Sequence, residues 1–339
     1  MARNTKEKFK TMIGGQALIE GIMMRGPEKD ATVIRGKDGL QVDVTDRVIR
    51  PKGSFATWPL IRGPVSFFDS QVVGMKALMH SADLSPDEEM QEDASKLDLW
   101  LEKKLGEKKF QNFILGFSVV LGLLMSIGLF FLLPSVIGSL LSPVINAYVP
   151  QNLCDVVQNL VEGAIRVMIL AGYMLLVSKQ KDIKRLFAYH GAEHKTIRCY
   201  EAGLELTVDN VRVQSKHHPR CGTSFLFIVM ILSILVFSVA QAALLALVPS
   251  LESLRTSLPI GFNLIMICFK LLLLPVVVSL TYEINRLVGR YDNWFTRFLS
   301  APGMWMQRIS TNEPDDGMME VAIAALQAVI PEQEGADKW

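Results

Sequence analysis

The sequence predicts a mainly α-helical membrane protein: four transmembrane helices, a small β-containing N-terminal cytoplasmic module and a helical cytoplasmic C-terminal tail. Three observations lead there. Half of the 339 residues are apolar and the mean hydropathy is positive, though soluble domains also reach that fraction. Charge is segregated: four stretches, near 113–133, 160–178, 224–248 and 262–282, are almost free of it. Each is long enough to cross a hydrocarbon core of ~30 Å as a helix. Finally, the loop 179–223 holds nine Lys or Arg, whereas 134–160 has none and 249–261 has only Arg255. The positive-inside rule then places both termini and the loop 179–223 in the cytoplasm, which an even number of spans permits.

Residues 1–58 read as a β-rich cytoplasmic module. The start, MARNTKEKFKTMIGG, has no apolar core of signal-peptide length. In ATVIRGKDGLQVDVTDRVI two β-prone runs flank GKDG, a hairpin turn. The glycines of GGQALIEG form no nucleotide fingerprint and suit tight turns and close backbone approach. Glu20, a lone carboxylate among apolar neighbours, suits a hydrogen-bonded structural role at least as well as a place in a site.

Residues 59–112 comprise an amphipathic stretch and an acidic linker. A helix is expected after Pro64, in the membrane interface or packed on the spans, with His80 near its end. The run from Asp83 to Asp93 reads as solvated linker, and Lys103, Lys104, Lys108 and Lys109 mark the edge of the first span. Residues 113–282 form the four-span domain with the loop 179–223. The first span can run past Pro134 toward Leu141. In the second, Glu162 and Arg166 either pair at i, i+4 or snorkel. Lys270 lies mid-span in the fourth, and snorkelling of its long stem is the favoured reading over an intramembrane function. Residues 283–339 form the tail: a helix broken at Pro302 and Gly303, interfacial Trp294 and Trp305, and a capped amphipathic helix starting near Asp315. A helix-edge ion pair of Glu283 with Arg286 or Arg290 is expected, and capping explains Asp292 and Asn293.

Four of the five histidines, His190, His194, His217 and His218, fall within 29 residues, and Cys221 follows in HHPRCG. The stretch KDIKRLFAYHGAEHKTIRCYE predicts a helix over 181–201, weakened only by Gly191. His190 and His194 are then i and i+4 on one face and can converge on one metal ion, with Glu193 beside them. The order H-x-x-E-H is the inverzincin arrangement, in which Glu serves as general base. Glu201, two turns beyond His194, and His218 and Cys221, across a turn at Pro219, are the remaining candidate ligands. Three protein ligands leave a position open for water; the set His190, His194, His218 and Cys221 closes a tetrahedron and makes the metal a staple. Zinc suits these donors. The four cysteines form no disulfide framework, because Cys199 and Cys221 face a reducing compartment.

GGQALIEGIMMRGP, YHGAEHKTIRCYE, HPRCGTSF and NEPDDGMMEVAIAAL, in this order, resemble the YqhQ-like family of bacterial membrane proteins, a domain of unknown function described as a metal-dependent enzyme. The resemblance spans nearly the whole chain. It implies a multi-pass protein of the cytoplasmic membrane whose histidine motifs form the metal site, with His218 rather than His217 matching the motif histidine. Three functions follow as expectations. The first is a metal-dependent, zinc-using hydrolase at the cytoplasmic interface acting on a membrane-embedded or juxtamembrane substrate, with Glu193 as base. The second is a membrane scaffold or assembly factor, binding a membrane-protein partner, with a closed metal site. The third is an oligomeric transporter built around Lys270 and Arg166. The bilayer is the expected environment. Nucleic acid is not an expected partner, since no linear run interleaves basic and aromatic residues beyond the positive-inside excess.

Overall fold

The computed structural model describes residues 9–37, 39–51, 53–84, 106–333 and 335–338. The acidic run beyond Leu84, Lys103, Lys104 and the residues before Phe9 lie outside them. The chain divides into two compact units. One comprises Met1–Ser85, Leu170–Val236 and Leu273–Trp339; the other comprises Pro86–Ile169 and Phe237–Leu272.

The first unit is built on a four-stranded antiparallel meander, β1 (Gly14–Leu18), β2 (Gly21–Arg25), β3 (Lys29–Gly36) and β4 (Gly39–Asp46). Gly36 pairs with Gly39 across the turn that GKDG predicts. Strand register explains the burial. Ile22 pairs with Val33 and Met24 with Ala31, so these four side chains share one face. That face meets α5 (Lys181–Glu201), through Tyr189 and Ala192, and α12 (Asp316–Gln327), through Met319, Ala322 and Leu326. On the opposite face Met23 and Leu18 meet Ala77 of α1 (Arg62–Leu84). Covered on both sides, β2 is buried over four of its five residues, as a fully covered strand should be. Each apolar side chain taken wholly out of water there contributes about 1.5–3 kcal/mol. Strand β4 is the exposed edge, and Asp43 and Asp46 discourage further pairing on it. His80 meets Asp43 at 2.8 Å.

Helix α1 starts two residues before Pro64, whose missing N–H is harmless in a first turn. It packs on the sheet and on α10 (Leu274–Arg290), where Gly63 lies against Ser279 and Tyr282. Arg62 Nε donates to Glu283 at 2.7 Å. Glu283 therefore pairs with α1, not with the arginines on its own helix. α11 (Trp294–Ser310) runs unbroken through Pro302 and Gly303, contrary to the sequence expectation. Its buried positions Thr296, Ser300, Gly303, Gln307 and Ser310 form one stripe that anchors the helix on both sides of the proline. Asn293 caps it through a capping box, and Asp315 caps α12 by accepting from Met318 N at 2.8 Å.

Four helical runs are long and apolar enough to cross a membrane: Gly116–Tyr148, Cys154–Val177, Phe225–Leu247 and Pro259–Arg290. The first comprises α2 (Glu107–Ile127), a π turn (Gly128–Leu132) and α3 (Leu133–Tyr148), and so continues well past Pro134. The second is α4 (Cys154–Val177). The third belongs to α7 (Gly222–Leu247), which follows the short α6 (Val208–Arg212). After α8 (Ser250–Ser257), α9 (Pro259–Leu272) and α10 make the fourth.

In the second unit, Lys270 departs from the snorkelling expectation. It is buried, with Nζ 2.9 Å from Glu162 Oε2 and 3.3 Å from Asn159 Oδ1. The reason is a counter-charge within reach: an ion pair made in place replaces the long climb to water. Arg166 Nη2 donates to the same Oε2 at 3.1 Å, while its Nε donates to the Phe130 carbonyl at 2.9 Å. Phe130 lies in the π turn, a geometry that recurs where a helix serves a local site.

Candidate metal centre

Helix α5 is buried along much of its length although its residues are largely polar. Such a helix is stable only if its polar groups find partners, and these come from distant segments. His190 Nδ1 lies 2.9 Å from the Ser310 carbonyl and His194 Nδ1 lies 2.7 Å from the Lys216 carbonyl. A carbonyl only accepts, so each Nδ1 carries the proton and donates, and each Nε2 presents a lone pair. His190 Nε2 faces Cys221 Sγ at 3.2 Å. His194 Nε2 is buried without a hydrogen-bond partner among the described residues. The two rings stand 4.3 Å apart, and the donor atoms of His190, His194 and Cys221 all lie within 4.8 Å of one another. Nitrogen and sulfur ligands on one tetrahedral zinc sit roughly 3.5 Å apart. The orphaned nitrogen, the carbonyls that hold each Nδ1 and the thiol together fit a divalent ion of intermediate softness.

The thiol and the imidazoles also shift one another's proton affinity. Burial raises the Cys221 thiol, but His190 and His194 outweigh it and bring it well below its usual value. Burial lowers the His190 imidazolium, and the facing Cys221 sulfur overrides this and lifts it to about 9.

Glu193 is buried beside these ligands, and burial pushes its carboxyl up against the opposing pull of His190 and His194. The backbone N–H of Gly15 donates to it. Here the first glycine motif finds its use: a Cβ on Gly15 would fall 3.0 Å from Glu193 Cδ and 2.8 Å from the Met23 carbonyl oxygen. Gly191 has the same reason to exist. A Cβ there would stand 2.1 Å from the Asn312 carbonyl oxygen, so only glycine lets the segment after Ser310 lie against α5. That segment is held by Asn312 N donating to the Phe187 carbonyl at 2.8 Å.

The other sequence candidates stand outside the three-donor group. Glu201 Oε1 accepts from Thr11 N at 2.8 Å and pairs with Arg220, and Oε2 meets His218 Nε2 at 3.2 Å. His218 is held by Gln307, whose Oε1 accepts from His218 N and whose Nε2 donates to the His218 carbonyl, both at 2.8 Å. Burial first, then Arg220, keeps its imidazolium well below the ordinary range, and its ring lies 5.7 Å from that of His194. Glu201, His218 and Arg220 thus form a row behind the donors. Glu20 serves the sheet: its carboxylate pairs with Arg185 and accepts from Tyr189 Oη at 3.1 Å. A cavity of about 140 Å³ adjoins the donors, lined by Gly14, Gly15, Glu193, His194, Arg220 and Cys221 among others. Sequence reasoning missed Gly15 and Arg220 as site residues. Their only signals were adjacency to quoted motifs, GGQ and PRCG.

No solved structure matches the chain. It is 31% identical over 334 residues to a protein of Bacillus subtilis (strain 168) described as "Uncharacterized protein YqhQ", covering 96% of this chain and 94% of that one. A family model described as "Protein of unknown function (DUF1385)" matches residues 58–332. The motif resemblance and these two matches agree, and the chain belongs to the DUF1385, YqhQ-like family.

Proposed function

We propose that the protein is a metal-dependent hydrolase of the cytoplasmic membrane, with both termini and its site on the cytoplasmic side. The orientation rests on the nine basic residues of the loop 179–223. His190, His194 and Cys221 would hold a divalent ion, with zinc favoured by the nitrogen and sulfur donors. The carrying observation is that two imidazoles, oriented by backbone carbonyls, gather with one thiol within 4.8 Å and leave His194 Nε2 buried without a partner among the described residues. Three protein donors leave a fourth position open, the pattern of catalytic rather than structural sites. A bound ion supplies Lewis acidity and a water acidic enough to attack at neutral pH. Glu193, buried beside the donors, would be the general base, holding at a carboxylate oxygen the proton that the leaving group needs. Gly15 N–H holds the carboxylate toward the donors.

The test uses the full-length protein in detergent, reconstituted with Co2+. One metal per chain is expected, lost on Cys221→Ser and His194→Ala and kept on Glu193→Gln. A sulfur-to-cobalt absorption band should shift when thiocyanate or a hydroxamate fills the open position. A band that ignores both ligands would mark a closed staple and turn the assignment toward the scaffold. Metal retained in full by both ligand variants would overturn the site itself.

A further inference from the structure

The first unit carries a second, much larger concavity, a cleft of about 1190 Å³. Five cations line it, Lys10, Arg198, Arg220, Arg297 and Arg308, against one acid, Asp292. They come from four separate stretches of sequence, so no linear pattern announces them. Arg297 already binds Asp292 at 2.7 Å, Arg220 pairs with Glu201, and Arg198 donates to the His217 carbonyl at 2.7 Å. Among the described residues the cations of the cleft outnumber the acids, Asp292 and Glu201, that pair with them. An excess of positive charge gathered in a concavity attracts a multivalent anion.

The wall of the cleft identifies what carries the anion. Helix α11 begins four residues after Arg290, the end of the fourth candidate span. Trp294, Phe298 and Trp305 recur at i, i+4 and i+11, within roughly 40° of one another around the helix. They are 79%, 69% and 52% exposed, while the opposite stripe of the same helix is buried. An exposed aromatic stripe beside arginines, at the point where a span ends, is the composition of a helix lying in the headgroup layer. Arg297 and Arg308 flank that stripe on the side of the cleft, and Trp305 itself lines the cleft. A soluble anion has no use for such a rim; an acyl-bearing one does.

We propose that this cleft seats the phosphate headgroup of an anionic lipid, and that phosphate-bearing lipids are the substrate class of the adjoining centre. The second half rests on the hydrolase reading; the first does not. Arg220 joins the two places, since it lines both the cleft and the cavity that holds Glu193 and Cys221. A headgroup in the cleft would therefore lie one side chain away from the three donors.

Detergent-solubilised full-length protein is titrated with dihexanoyl phosphatidylglycerol, its phosphatidylcholine analogue and glycerol phosphate, with tryptophan fluorescence as readout and cobalt absorption recorded on the same samples. The phosphatidylglycerol is expected to bind at least about tenfold tighter than the other two, and Lys10→Gln with Arg308→Gln to weaken it about tenfold. Arg308→Lys should restore much of that loss, which a merely misfolded variant would not. Equal affinity for the two lipids, or an unchanged double variant, overturns the headgroup site. Glycerol phosphate binding as tightly as the lipid assigns the cleft to soluble phosphate esters and overturns the lipid source. Selective lipid binding without a cobalt band fells the hydrolase reading and keeps the headgroup site; a responsive cobalt band without lipid selectivity does the reverse.

Discussion

In the first unit, His190 and His194 hand their Nδ1 protons to backbone carbonyls and turn their remaining nitrogens inward, one of them to no described partner. In the second unit, Lys270 and Arg166 converge on the single carboxylate of Glu162, and each finds a further oxygen besides. Both arrangements bury polar groups, but they differ in what is left over. In the charged cluster both cations find oxygen partners, so its members serve the fold first. The histidine cluster is braced from behind and leaves His194 Nε2 without a partner among the described residues. Removing one partner should therefore damage stability in one unit and ligand affinity in the other.

The largest effect is expected at Glu162. Glu162→Gln leaves Arg166 and Lys270 together without a counter-charge and should lower unfolding free energy by about 3–5 kcal/mol. Lys270→Met leaves the Glu162–Arg166 pair intact and should lower it far less. Denaturant titration of both variants in the same detergent checks the asymmetry. Equal losses would mean that Lys270 matters to the cluster as much as Glu162 does. A Lys270→Met protein that keeps its stability but loses cellular function would reopen the transporter reading.

Gly191→Ala is the next largest and strikes the other unit. The added Cβ meets a backbone oxygen, which cannot rotate away, so α5 and the segment after Ser310 must part. A loss of about 1–3 kcal/mol is expected from overpacking. Because Ser310 also orients His190, metal affinity should fall about tenfold or more with it. A variant that is destabilised yet binds metal normally would show that the carbonyl is dispensable to the centre.

The contrast also marks what a sequence can display. Apolar runs showed all four candidate spans, because membrane length and helical rise are properties of consecutive residues. The i, i+4 histidines and Cys221 were legible for a similar reason: donor side chains announce themselves by type. The GKDG hairpin and the Asp315 and Asn293 caps were local and legible too. What could not be read were the groups supplied by backbone. Neither the Ser310 nor the Lys216 carbonyl has a sequence signature, yet they fix both tautomers. Lys270 was misjudged because its counter-ion lies 108 residues away, and the cleft cations were invisible because folding, not sequence, assembles them.

Glu201→Gln sharpens the boundary of the centre. The carboxylate accepts from Thr11 N and holds Arg220 and His218, so neutralising it should cost about 1–3 kcal/mol. Metal stoichiometry should stay at one per chain, since the three donors are untouched. Loss of the metal in this variant would move Glu201 and His218 from the supporting row into the ligand set and favour the closed, non-catalytic site.

The smallest effect expected is at Asp315. Asp315→Ala removes the acceptor of the Met318 N–H and should cost about 1 kcal/mol, the usual value of a lost N-cap. The site of the change matters more than its size. Helix α12 shares the buried core of β2, β3 and α5 but carries none of the three donors. If bracing and liganding are separate tasks, unfolding should shift while cobalt absorption and stoichiometry stay as in the parent protein. A cap variant that weakens metal binding as much as Gly191→Ala would mean that the centre senses the stability of the whole unit. The local carbonyl contacts at Ser310 and Lys216 would then be insufficient to account for the open geometry.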